Sequence, residues 1–84
     1  MIHKTEIKGF DMKDLSEEIG NLRYDALQEF LLLLSDKLNR DSISDNENNR
    51  TLLSSSLLDA SDALWEASHY IQESWKISKD KINE

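Results

Sequence analysis

The chain has 84 residues, with seventeen Asp and Glu against ten Lys and Arg, a formal charge of −7, no proline and no cysteine. A chain this short buries only about 60–65% of the surface its unfolded form exposes, so one domain is the limit. Without cysteine there are no disulfides, thiolate metal sites or cysteine nucleophiles. The acidic balance argues against a nucleic-acid partner, because phosphate neutralisation needs a basic surface. No apolar run approaches the ~20 residues of a membrane span, and Met1-Ile2-His3-Lys4-Thr5-Glu6 has no apolar signal core. The expectation is a cytoplasmic protein with no membrane partner.

Residues 1–10 open the chain. Ile2, Ile7 and Phe10 fit neither a helical nor a strand period, which predicts an extended or frayed arm. A first helix is predicted over about 11–40. Gly9 permits the turn before it, Asp11 is placed to cap its free amides, and Phe10 with Leu15 has the spacing of a hydrophobic staple. Asp14, Glu17 and Glu18 set negative charge at the positive end of the helix dipole. Its apolar positions, from Met12 and Leu15 through Ile19, Leu22 and Phe30 to Leu34 and Leu38, are spaced by threes and fours.

A polar loop is predicted at about 41–47, because Asp41-Ser42-Ile43-Ser44-Asp45-Asn46-Glu47 is made largely of residues that favour turns and caps. A second helix is predicted over about 48–80. Leu53, Leu57, Ala60, Leu64, Ala67 and Ile71 alternate spacings of four and three, and the small Ala60, Ala67 and Ser74 suit close approach of a neighbouring helix. Lys76, Lys79 and Lys81 stand near its negative end.

Two helices joined by a short loop pack antiparallel. The fold class is therefore all-α, a long antiparallel helical hairpin. The core is expected from Leu15, Leu22, Phe30, Leu34, Leu53, Leu57, Leu64, Ile71 and Trp75. The apolar arcs are wider than one seam needs, and Phe30-Leu31-Leu32-Leu33-Leu34 turns apolar groups round most of the circumference. A homodimer forming a four-helix bundle is the simplest closure, since two-fold symmetry is the commonest in soluble oligomers.

No enzyme is expected. His3 and His69 have no serine or cysteine nucleophile at a motif spacing, Ser54-Ser55-Ser56 lacks a nucleophile-elbow frame, and two glycines cannot build a phosphate loop. No cofactor follows from the residues. One metal reading stands as an alternative. Glu66-Ala67-Ser68-His69 has the Glu-x-x-His spacing of ferritin-like di-iron bundles, with Glu29 to complete a ligand set. Against it, Glu66 lies about 160° and His69 about 140° from Leu64 round the helix, on the polar side.

The function expected is a small, acidic, non-catalytic protein–protein interaction or adaptor module. Its contact surface is placed at Leu31, Leu32, Leu58, Trp65, Tyr24 and Arg23, aromatic side chains being enriched at interface anchors. A hairpin turning near residue 44 would set Arg23 level with residues 64–67, to stack on Trp65 or pair with Glu66. It would set Trp75 level with Met12 and Leu15. Residues 11–66 hold thirteen acidic and five basic side chains. That imbalance motivates the other alternative, an acidic inhibitor or antitoxin-like protein that occupies a basic partner site.

Overall fold

Gly9 sits at φ 85°, and the Phe10 N–H donates to the Ile7 carbonyl at 3.0 Å, closing a tight turn over residues 7–10. Only glycine adopts that backbone without strain, at the third position of a type II turn. Asp11 then caps a helix, its carboxylate accepting a long 3.4 Å bond from the Lys13 N–H. The computed structural model describes residues 4–82, with side chains through Lys79. Its helices are α1 (Met12–Gly20), α2 (Tyr24–Glu47) and α3 (Thr51–Ile82), with no strand among the described residues. The fold is all-α. Expectations resting on Ile2, His3 and the side chain of Lys81 lie outside the described residues.

The single helix expected over 11–40 is instead two. Gly20 ends α1, and the Asn21 and Leu22 N–H groups close it onto the Glu17 and Ile19 carbonyls at 3.0 and 3.1 Å. Gly and Asn are among the poorer helix formers, so absence of proline does not guarantee continuity. Arg23 then takes an extended backbone, φ −55° and ψ 144°, and α2 begins at Tyr24 with Asp25 in its first turn.

The loop expected at 41–47 is also corrected: those residues are the last turns of α2. The chain reverses at 48–50. Asn49 is left-handed, φ 63°. The Arg50 N–H donates to the Asp45 carbonyl at 2.8 Å and the Asn49 N–H to the Asn46 carbonyl at 3.0 Å. This is a Schellman stop with asparagine where glycine is usual. The Arg50 guanidinium meets the Asp45 carboxylate at 2.7 Å and ties the stop down.

α2 and α3 run antiparallel through a serine seam. Ser35 Oγ donates to the Ser61 carbonyl at 2.8 Å, and Ser61 Oγ donates back to the Ser35 carbonyl at 2.7 Å. One heptad further, Ser42 and Ser54 repeat the exchange at 2.8 Å in both directions. Both pairs centre on residue 48. The same register sets Gln28 opposite Ser68, which is wholly buried and donates instead to the Trp65 carbonyl of its own helix. Serines at seven-residue spacing bring two backbones close, and the hydroxyl protons of Ser35, Ser42, Ser54 and Ser61 are satisfied across the seam.

The seam displaces the apolar stripes. With about 100° per residue, Leu34 and Leu38 lie about 60–100° to one side of Ser35, and Leu57, Leu64 and Ile71 about 40–80° to one side of Ser61. Because the helices run in opposite directions, these arcs come round to the same broad side of the pair. Among the described residues no apolar side chain is buried; the buried set is Ser35, Ser42, Ser61 and Ser68. The nine residues expected as core are therefore half-buried or exposed, with Leu22, Phe30, Leu34 and Leu53 in the exposed class. The Cα trace measures 54 × 28 × 13 Å, the thickness of one helix layer. Its radius of gyration is 15.7 Å, against about 12 Å for a compact chain of this length. α1 makes almost no contact with the other two helices.

Candidate interaction surfaces

The layer has two unlike broad faces and a tied end. The first face is apolar. Leu27, Phe30, Leu34 and Leu38 of α2 lie beside Leu53, Leu57, Leu64 and Ile71 of α3, with Ala60 and Ala67 flattening the α3 side. Between the levels of Leu27 and Leu53 the one carboxylate on this side is Asp41, at its outer margin and paired with Lys37, since Asp36, Asp59 and Asp62 all fall on other sides of their helices. Lys37 stands at the outer edge of this face and pairs with Asp41 at 2.6 Å.

The second face is narrower and ringed with acid. Leu32 and Trp65 straddle the seam, and Leu58 and Ile43 continue the line toward the turn. A recess of about 280 Å³ is lined by Leu32, Ser35, Asp36, Asn39, Ser61, Asp62 and Trp65. Trp65 is 55% exposed. His69 supports it one turn on, with ring centroids 4.0 Å apart and the His69 Nδ1–H donating to the Trp65 carbonyl at 2.9 Å. Asp36 pairs with Arg40 at 3.2 Å with both side chains exposed, while Asp62 makes no salt bridge among the described residues.

At the open end Arg23 joins three elements. Its Nε and one terminal nitrogen each donate to the Asp25 carboxylate at 2.7 Å. Its guanidinium carbon stands 5.1 Å from the centroid of the Trp75 ring. The Arg23 hydrogen bonds hold the Asp25 carboxyl below its ordinary value, helped by the Ala26 N–H, and the same contact raises Arg23. The expected stacking on Trp65 is therefore a contact with Trp75. A turn centred on residue 48 rather than 44 moves every cross-helix level by about eight residues. Trp75 accordingly lies beside Gly20–Tyr24 rather than Met12 and Leu15.

Of the expected contact residues, Leu31 and Leu32 flank the seam on its two sides and are half-buried, whereas Leu58, Trp65, Tyr24 and Arg23 are exposed. The structure brings Leu32, Leu58 and Trp65 together on the second face. It sets Leu31 toward the first face and Tyr24 and Arg23 at the open end. Glu29, Glu66 and His69 are exposed on the acidic side. Among the described residues no three His, Asp or Glu side chains are grouped to hold a metal ion. No helix among them is long and apolar enough to cross a membrane. Comparison with known family models, characterised proteins and solved structures finds no match.

Sequence reasoning missed the serine seam. Ser35 and Ser42, and Ser54, Ser61 and Ser68, stand at exact heptad spacing beside the apolar stripes, and that repeat was the available signal.

Proposed function

We propose that the chain is a non-catalytic protein–protein interaction module whose helical hairpin self-associates through the apolar face into a four-helix bundle. One observation carries this reading: a face of leucines, Phe30 and Ile71 on a single layer in which no described apolar side chain is buried. Stable domains close two layers around a core, and a second copy supplies the missing layer. The area is sufficient. α2 is about 36 Å long and two adjacent helices span about 20 Å, so the contact removes roughly 1,400 Å² in total, inside the range of stable interfaces. The hydroxyls of Ser35, Ser42, Ser54 and Ser61 donate to backbone carbonyls, which supports a structural rather than nucleophilic role for them.

The test is absolute mass by light scattering over a hundredfold concentration range. Twice the chain mass of 9.7 kDa, with a thermal midpoint that rises with concentration, is the expected result. A constant 9.7 kDa with a concentration-independent midpoint overturns the bundle. Leu34→Ala and Leu64→Ala are expected to weaken the dimer by about 2 kcal/mol each, roughly thirtyfold in dissociation constant. Asp14→Asn on α1 serves as the control and should leave it unchanged.

The acidic-partner reading retains one favouring observation, the ring of carboxylates about Trp65. It concerns the other face and is compatible with a dimer.

A further inference from the structure

We infer that the second face is a docking groove for an amphipathic helix of a partner protein, one whose apolar stripe is bordered on both sides by lysine or arginine. Leu32, Trp65, Leu58 and Ile43 form a line along the seam between α2 and α3. From Leu32 to Ile43 the line runs about 17 Å, the length of three helical turns. The helix–helix seam is the groove that a third helix enters, its apolar stripe laid on these four residues. Trp65 is the anchor: it stands 55% exposed over a recess of about 280 Å³, and His69 packs with its ring centroid 4.0 Å away to fix the indole. A large aromatic face, held in place before binding and exposed at the centre of a patch, is the feature that concentrates binding energy.

Charge names the occupant. Glu29 and Asp36 border the line on α2, and Asp59, Asp62 and Glu66 border it on α3. Among the described residues Asp36 has only the exposed 3.2 Å partner Arg40, and none of the other four makes a salt bridge. Exposed pairs of that kind cost little to exchange. An acidic or neutral helix seated here faces uncompensated carboxylates on both flanks, whereas a basic one replaces repulsion with pairing and can stack a cation on the Trp65 face. At the margin of the apolar first face the one carboxylate, Asp41, is already paired with Lys37, so the two faces select different partners. A bundle closed through the first face leaves two of these grooves on its outer sides.

The inference rests on the interaction-module reading and not on self-association. Its probe is an 18-residue helical peptide of leucine and lysine, with the glutamate-for-lysine peptide as comparison, titrated against the full chain by calorimetry at two salt concentrations. Binding of the lysine peptide alone, weakening as salt rises, is expected. Trp65→Ala should weaken it about tenfold and Trp65→Phe about threefold, loss following ring size. Asp36→Asn with Asp62→Asn should weaken it about tenfold, while Asp14→Asn with Glu17→Gln, the same charge change on α1, should stay within about twofold. Circular dichroism of each variant separates lost binding from lost helix, and Trp65→Phe keeps the comparison available if the alanine variant unfolds. Equal weakening by both charge pairs, or indifference to both Trp65 variants in folded protein, overturns the groove. Mass measured on the same samples keeps the readings apart. A monomer that binds the lysine peptide sinks the bundle alone, and a dimer that ignores it sinks the groove alone.

Discussion

Arg23 does at one position what several contacts do elsewhere: it starts α2, grips Asp25 through two bonds of 2.7 Å, and covers Trp75 of α3 at 5.1 Å. Lysine offers neither the planar fork nor the flat cation, so Arg23→Lys should free the Trp75 ring and shift its fluorescence toward that of a solvated indole. The Asp25 carboxyl is held below its ordinary value of 3.8 in the folded chain. A lowered folded value means that the contribution is complete above the unfolded value and is lost as pH falls through the folded one. Helicity followed from about pH 5 to pH 2 should therefore show an acid limb that Asp25→Asn flattens. An unchanged limb in the variant would assign acid sensitivity to other carboxylates. Neither Asp25 nor Arg23 is buried, so the effect concerns the fraying of the α2 start rather than global unfolding. The Arg23–Asp25 pair was unreadable in a wheel that treated 11–40 as one helix, because both residues then sat inside it.

At the scale of the elements, the seam follows from side-chain size. Ser61→Ala removes a hydroxyl that donates to a helical carbonyl already engaged with its own helix, and should cost about 1 kcal/mol in urea unfolding. Ser61→Leu forces the backbones apart and should cost more, about 2–3 kcal/mol. If leucine were tolerated as well as alanine, close approach through Ser35 and Ser61 would not be what joins the helices. The turn behaves similarly: Asn49→Ala at φ 63° should cost about 1 kcal/mol, and Asn49→Gly should be neutral or stabilising. These two features mark how far the chain could be read. Helical stripes, the Asp11 cap and the all-α class follow from local spacing, and they stand in the structure. The placement of the seam does not follow from hydrophobicity, because two serine heptads out-compete the leucine stripes for the contact through small size and hydroxyl bonds across it. The residues of 41–47 are poor helix formers singly, but the Ser42–Ser54 exchange and the Lys37–Asp41 pair carry α2 on to the Schellman stop. The line of Leu32, Leu58 and Trp65 was visible as an off-stripe set; that it lies along the seam needed the register.

For the whole molecule, one layer without an enclosed core divides stability unevenly along the chain. α1 has its own caps but almost no contact with the other helices, and an isolated helix of nine residues is marginal in water. Phe10, Leu15, Ile19 and Leu22 line an open apolar recess of about 580 Å³ on it. Amide hydrogen exchange should therefore show α1 exchanging within a few fold of unstructured chain, while the strongest protection falls around Ser35 and Ser61, where the seam bonds are. Protection in α2 and α3 should also rise with protein concentration, because covering Leu34, Leu57 and Leu64 with a second copy removes the openings that a lone layer suffers. Protection equal in all three helices and indifferent to concentration would show that the layer is stable alone, leaving its apolar face free for a different protein. Protection in α1 that appears only at high concentration would place its recess against the second copy and make the bundle more than a pair of hairpins.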